Sequence, residues 1–349
     1  MRGKGAWSGR ELEIGHHASL SAPTPAVFCP LLPKISPHAD EVQRYALHWA
    51  TRHGLLERPR AQAAFAGAKF ANLMARAHPA AGPADLGLAT AWLTAIFALD
   101  DLLETGLVED PQRMLGGVEA VLTWLRAPES PAGPTVREVL GRPIGCALAD
   151  VWRRTAPRVS PAWRERFVAH VREYLNGTVW ESGNRAKGRL PAVSEYVRMR
   201  RHSAATEMFF DLIEPMHGIE LPEAVLVDPH YLAARHTAGT AIGLFNDLIS
   251  WRKEVAVGDL HNIVFIVREE RRLTLADAVH AAVAEHDAQV AAFMSACDGL
   301  RRGRWAADPV VATGVDDLAH WLRGNLDWSL ESGRYATEPT IPPQRPATP

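Results

Sequence analysis

The stretch FALDDLLETG, residues 97–106, ends a long apolar run in two adjacent aspartates, Asp100 and Asp101, with Glu104 just beyond. Asp100 and Glu104 are four residues apart, so on a helix they share a face, with Asp101 beside them. Oxygen-only ligands at this spacing suit a hard divalent cation, Mg²⁺ rather than Zn²⁺. A second stretch, FNDLISWRKEV, sets Asn246, Ser250 and Glu254 at steps of four. On a helix they form one slowly drifting stripe of an amide carbonyl, a hydroxyl and a carboxylate, a second hard-metal site of lower charge. Two basic clusters accompany them: Arg198, Arg200 and Arg201 in YVRMRRHS, and Arg334 beside Tyr335 in ESGRYATE. Guanidinium forks match phosphate oxygens. Each cluster taken alone reads equally as a solvated helix face. Together they describe a site for a polyanion bridged by metals, a diphosphate above all, with an apolar chain attached to it.

The elements that carry these residues read as helices. From Leu86 to Leu99 only Thr90 and Thr94 are polar, and a helix apolar all round belongs in a core. This helix is predicted to deliver the aspartates at its C-terminal end and to stop at Gly106. Anions are disfavoured there by the macrodipole, so something positive must compensate. EVQRYALHWATRHGLL puts Val42, Ala46, Trp49 and Ala50 on one face, and AQAAFAGAKFANLMARA continues the same spacing. Breaks fall at HPAAGPAD, APESPAGP, TAPRVSPA and GRLPAV, and HNIVFIVRE is the one strand-like stretch. The reading is an all-α single domain of roughly ten helices over residues 26–336. A disordered N-terminal arm, 1–25, precedes it, and a disordered Pro-rich tail, 337–349, follows.

Composition narrows the function. The chain has 349 residues, 47% of them hydrophobic, enough for a substantial core. Its formal net charge is −2, which argues against nucleic-acid binding. Cys29, Cys146 and Cys297 are far apart and form no CxxC pair, so a reducing compartment fits. The start lacks a signal-type apolar region, and no window is read as the roughly 18 uncharged apolar residues of a membrane span. The expectation is a cytoplasmic protein, monomeric or homodimeric.

With these residues in view, the sequence resembles a bacterial class I terpene synthase over nearly the whole chain from FCPLLPKISPHADEVQ to SGRY. The DDxx(D/E) motif is matched by Asp100, Asp101 and Glu104, and ND(L/I/V)xSxxxE is matched completely by NDLISWRKE. Arg200 lies 46 residues before Asn246, where the family carries a pyrophosphate-sensing arginine. Arg334 and Tyr335 match its C-terminal Arg-Tyr pair, and Lys253 its diphosphate-donating lysine. The chain departs from the pattern at Leu99, where an aromatic is frequent, and at Ser203 and Ala204, where Asp and Gly are usual. Those departures bear on rate and cyclisation detail. The resemblance implies an isoprenoid-synthase helical bundle around a central apolar cavity. It also implies three Mg²⁺ ions between the two motifs and a prenyl diphosphate, ionisation of the allylic C–O bond, and a carbocation kept from water. Phe97, Phe209 and Trp328 are the candidate rings for cation–π stabilisation.

A trans-prenyltransferase would need two aspartate-rich motifs, and only one is present. A non-enzymatic helical scaffold would need no metal ligands at four separated places. For substrate length, Leu93, Ile96 and Phe97 are expected to close one wall. Gly239 and Gly243, with Ala204 on the sensor helix, are expected to leave the others open. That pattern, with the commonness of C15 substrates in the family, points to farnesyl diphosphate and a cyclic sesquiterpene hydrocarbon or alcohol. Leu99 keeps geranylgeranyl diphosphate, and a diterpene synthase, as the alternative.

Overall fold

In the computed structural model, residues 25–109, 111–127, 132–256 and 258–335 are described. The expected arm, apart from Pro25, and the expected tail lie outside them. Every regular element among the described residues is helical. The chain opens with α1 (Ala39–Arg52), α2 (Pro59–Ala68) and α3 (Phe70–Ala77), and then α4 (Pro83–Glu109). Next come α5 (Pro111–Arg126), α6 (Ala132–Leu140), α7 (Arg142–Thr155), a 3₁₀ turn at Ala156–Arg158 and α8 (Pro161–Lys187). The second half holds α9 (Val193–Ser203), α10 (Thr206–Asp211), α11 (Ile213–His217), α12 (Glu223–Leu226) and α13 (Pro229–Ala256). It closes with α14 (Ile263–Arg271), α15 (Leu275–Arg302) and α16 (Pro309–Glu331).

The described residues form sixteen α-helices where spacing read roughly ten; some of the extra boundaries fall at non-glycine residues with left-handed backbone, Lys69, Ala205 and Arg272, at φ 51°, 58° and 52°. Lys69 divides the run read as one helix into α2 and α3, and Ala205 separates α9 from α10. The strand-like HNIVFIVRE is α14: Asn262 accepts from Val264 N as its cap, and Ile263–Val267 are buried on several sides. Elsewhere the starts follow local chemistry. Ser160, Thr274 and Asp308 cap α8, α15 and α16 by accepting backbone N–H groups, the role for which short oxygen side chains are favoured.

α4 is the central apolar helix. Leu86, Leu88, Trp92, Leu93, Ile96, Leu99 and Leu103 are buried along it, each contributing about 1.5–3 kcal/mol of burial. The Thr90 and Thr94 hydroxyls donate back to Leu86 O and Thr90 O at 2.7 and 2.8 Å, so neither polar group is left unpaired. Two expectations for this helix fail. Asp100 and Asp101 sit mid-helix, because α4 runs on about two more turns to Glu109, and the macrodipole cost does not arise there. Gly106 does not stop the helix. A Cβ there would lie 2.5 Å from Met114 Sδ, so the glycine admits α5 at close range. The window Pro83–Leu103 is, by length and composition, long and apolar enough to cross a membrane, contrary to the sequence reading; 72% of it is buried inside the protein.

Two buried polar networks lock the remaining helices around the cavity. Arg235 on α13 donates to Glu207 Oε2 and Asp211 Oδ1 on α10, both at 3.0 Å. Arg166 and His170 of α8 reach Asp211 from the other side, so the short helix after the Ala205 break is held on both flanks. At the opposite end Asp317 of α16 accepts from three imidazoles, His78 at 2.8 Å, His217 at 2.6 Å and His320 at 3.2 Å. It lies one turn before Trp321, whose ring stands edge-on to His78.

The His217 pKa is raised above its ordinary value, chiefly by its hydrogen bond to Asp317. A raised folded pKa contributes stability that is complete below the unfolded value of about 6.5 and lost as pH climbs through the folded value. His217→Gln keeps a neutral donor and removes the charge. The variant should therefore melt below wild type at pH 6, and the gap should close as pH rises toward 9. Melting curves across that range check it; a gap that does not change with pH contradicts it.

Candidate active site

α4, α8, α9, α10, α13, α16 and the segment after α16 surround one cavity of about 570 Å³, inside the range of small-molecule sites. Asp100, Asp101, Asn246, Ser250, Glu254, Arg200, Lys253, Arg334 and Tyr335 all line it, as do Phe97, Ala204, Phe209 and Trp328. Thirteen of the fourteen predicted site residues thus converge. The fourteenth, Glu104, belongs to α4 by its backbone, and its side chain lies outside the described set.

On one rim Asp100 accepts from Tyr174 OH of α8 at 2.8 Å, and Asp101 is exposed in the mouth. On the other rim the α13 stripe is only partly engaged by protein. Asn246 Oδ1 accepts from Arg200 Nη2 at 3.0 Å, and its Nδ2 donates to Tyr335 OH at 2.7 Å. Ser250 is buried one turn before Glu254, and its hydroxyl hydrogen-bonds toward the Glu254 carboxylate. Glu254 Oε2 accepts from Asn262 Nδ2 at 2.8 Å. Burial pushes the Glu254 carboxyl up to about 7, and the nearby Asp247 charge adds to the effect. An amide oxygen, a hydroxyl and a carboxylate on one helix face are a donor set fitted to a hard metal ion.

Arg200 is the most heavily held side chain at the rim. Its Nε donates to Asp247 Oδ1 at 2.9 Å, its Nη1 to Ser203 Oγ at 3.2 Å and its Nη2 to Asn246. Tyr196 OH donates to the other Asp247 oxygen at 2.7 Å. Burial opposes its charge, but Asp247, Tyr196 and Glu181 together hold the guanidinium pKa well above its ordinary value. Of its basic neighbours, Arg198 is exposed and Arg201 turns to His202; neither lines the cavity.

The segment after α16 adds Arg334 and Tyr335 to the cavity lining. Ser332 Oγ and Trp328 Nε1 donate to Ala68 O at 3.0 and 2.8 Å, and Gly333 N to Gly67 O at 2.8 Å. This fixes the segment to the joint between α2 and α3. Arg334 then stands 4.4 Å above the Phe97 ring, which stacks on Phe70 at 4.7 Å.

Several wall assignments change. Leu93, Ile96 and Phe97 do line the cavity. Gly243 lines the cavity and Gly239 does not, but neither leaves room: a Cβ would meet Thr206 Oγ1 at 2.4 Å at Gly239 and Arg200 Cγ at 2.8 Å at Gly243. They are contact points that let α9 and α10 approach α13. Gly177 does the same from α8, with Ser203 N 2.7 Å from its Cβ position. Ala204 caps α9, and Phe209 stands on α10 rather than on the sensor helix. Leu99 is 2% exposed and lies outside the cavity lining.

Sequence reasoning missed Asp247, Tyr174, Tyr196 and Glu181. A signal for part of this set existed. Tyr174, Thr178, Glu181 and Arg185 recur at steps of four, three and four along α8, one polar stripe facing the cavity.

Comparison with known proteins agrees with this geometry. The family model for terpene synthase family 2, C-terminal metal binding, matches residues 91–292. Pristinol synthase of Streptomyces pristinaespiralis is 31% identical over 89% of this chain and 85% of its own length. (+)-T-muurolol synthase of Roseiflexus castenholzii, named as cyclising (2E,6E)-farnesyl diphosphate, is 34% identical over 86% of this chain and 90% of its own. Among solved structures, the SVS_A2 protein from ancestral sequence reconstruction superposes with a TM-score of 0.79 at 28% identity, covering 91% of this chain and 93% of that one. The matched region holds both rims, Asp100–Asp101 and the Asn246 stripe, and by it and by these relatives the chain belongs to the class I terpene synthase family.

Proposed function

We propose that this enzyme is a Mg²⁺-dependent sesquiterpene cyclase acting on farnesyl diphosphate, with residues 26–336 as the catalytic domain. The observation that carries the reading is the convergence of two oxygen-ligand rims and a set of cations at the mouth of one apolar cavity. Asp100 and Asp101, with Glu104, form one metal-binding rim; Asn246, Ser250 and Glu254 form the other. Three Mg²⁺ ions are expected with diphosphate bound, and they supply Lewis-acid stabilisation of the leaving group.

The chain's own residues do the rest. Arg200, anchored by Asp247, offers a guanidinium fork to diphosphate oxygens. Lys253, exposed at the rim, adds a point charge, and Arg334 and Tyr335 cover the mouth. Bulk water is then excluded from the apolar chain, as a carbocation requires. Phe97, Phe209 and Trp328 present rings to the cavity, each worth roughly 0.5–2 kcal/mol to a nearby cation, and Ala204 lines it at the end of α9. The relative named as cyclising farnesyl diphosphate supports the C15 choice. The wall of Leu93, Ile96 and Phe97 bounds the length of chain admitted.

Asp100→Ala and Asn246→Ala should each lower kcat by on the order of 10²–10³ at saturating Mg²⁺ while melting near wild type. Folded variants with normal turnover would remove the two-rim site. In competition among the C10, C15 and C20 diphosphates, the C15 substrate should show the highest kcat/KM; a clear preference for another length overturns the assignment.

Gly243→Ala should act on rate and not on chain length, because its methyl group meets Arg200. A displacement of that guanidinium by less than an ångström should cost roughly 10²-fold in turnover, with the order of preference among the three diphosphates unchanged. Unimpaired turnover with a shift toward the C10 substrate would mean that Gly243 limits chain length from the wall it lines.

A further inference from the structure

Asn325 of α16 is a polar interruption in a cavity wall otherwise built here of Trp321, Trp328 and Phe209. Its residue is 9% exposed, and its Oδ1 is buried with no protein partner. The other polar side chains nearby are accounted for. Thr178 Oγ1 donates to Tyr174 O at 3.2 Å and Thr206 Oγ1 to Arg201 O at 3.0 Å. One turn beyond Asn325 and outside the cavity lining, Ser329 is 3% exposed, and its Oγ is also buried without a partner. Two orphaned oxygens thus stand at positions i and i+4 of one helix.

That pairing has a specific chemical meaning. An unpaired buried polar group costs about 1–3 kcal/mol, and here two stand together. Side chains four apart on a helix have Cβ atoms about 5–6 Å from each other, a gap that one water molecule spans with two hydrogen bonds of about 2.8 Å. A buried water needs at least two such polar partners. Along the helix axis Asn325 lies about 6 Å beyond Trp321 and about 4.5 Å before Trp328.

Resting on the terpene-cyclase reading above, we propose that Asn325 and Ser329 hold one water molecule that captures the final carbocation, so that the product is a cyclic sesquiterpene alcohol. Asn325 Oδ1 and Ser329 Oγ each accept one water proton, which turns an oxygen lone pair toward the cavity. That lone pair forms the C–O bond to the electron-poor carbon, and the positive charge passes to the oxygen as an oxonium. One O–H bond then breaks, its proton passes to the diphosphate released at ionisation, and a neutral alcohol remains. No oxidant or reductant is involved.

The test is turnover of farnesyl diphosphate with Mg²⁺ in ¹⁸O-labelled water, with product masses and diphosphate release both measured. Wild type should give a cyclic alcohol carrying ¹⁸O as its main product. Asn325→Leu, which conserves volume, and Ser329→Ala, which removes one atom, should keep diphosphate release near wild type. Each should cut the alcohol-to-hydrocarbon ratio by about tenfold, the effect of about 1.4 kcal/mol between competing steps. A role in folding alone would move release and product ratio together. A wild-type enzyme that releases diphosphate yet yields only hydrocarbons overturns the proposal, and so do variants that keep the alcohol fraction. If wild type releases no diphosphate from any of the C10, C15 or C20 substrates, the cyclase reading itself fails, and this inference with it.

Discussion

The half-buried guanidinium of Arg200 is the point on which the site depends. A cation removed from water is tolerated only where fixed oxygens surround it, and here Asp247, Asn246 and Ser203 supply them. Two of the three stand on α13, so the helix that carries the second rim also fixes the arginine on α9. The requirement propagates outward. To bring α9 this close, Gly243 and Gly177 must lack side chains. To end α9 there, the chain must turn at Ala205 with left-handed backbone. To hold the helix that follows, Arg235 and Arg166 must bridge to Asp211. Each is a cost in local propensity or desolvation, and each is met by the packing next to it.

This dependence explains which parts of the molecule were legible beforehand. Helix class, most breaks and the two ligand stripes follow from period, punctuation and ligand chemistry, which are local properties of the sequence; Lys253 and the candidate rings came from the family resemblance. The failures share one cause: a residue's role was assigned from its own helix when the neighbouring helix decided it. Gly239 and Gly243 read as empty space until α9 and α10 fill it. Gly106 reads as a stop until Met114 packs on it. Asp247 was passed over between two stripe positions, although it points off the stripe toward Arg200. The ligand stripes themselves needed no neighbour to be recognised, because their meaning lies in spacing along a single helix.

Polarity is graded along the helices that surround the cavity. α4 passes from the apolar segment around Leu93 to Asp100, and α13 from Ala241 and Ile242 to Asn246 and Glu254. α16 runs in the same sense, from Trp321 to the segment that sets Tyr335 on Asn246. The consequence is electrostatic. Charged groups gather at one solvent-facing rim, where ions and a diphosphate can exchange, while the low-dielectric depth is left to an apolar chain. A metal-binding rim placed deeper would carry the desolvation cost already visible at Glu254, whose carboxyl is pushed up to about 7.

Against that gradient, the few exceptions carry the most information. The Asp317–imidazole cluster lies beyond the cavity floor, behind Trp321, with its hydrogen bonds directed to His78, His217 and His320; it stabilises the floor without entering the cavity. Asn325 differs because it faces the interior. An apolar residue of equal size would pack there without leaving an amide unpaired, so a wall selected only for dryness would not hold one. Nor is the group needed for metal or diphosphate, since every candidate ligand lies at the rim. What remains is a polar group set at the depth where a cyclised skeleton, rather than its leaving group, resides. Its chemistry therefore bears on how the cation ends and not on how it is made.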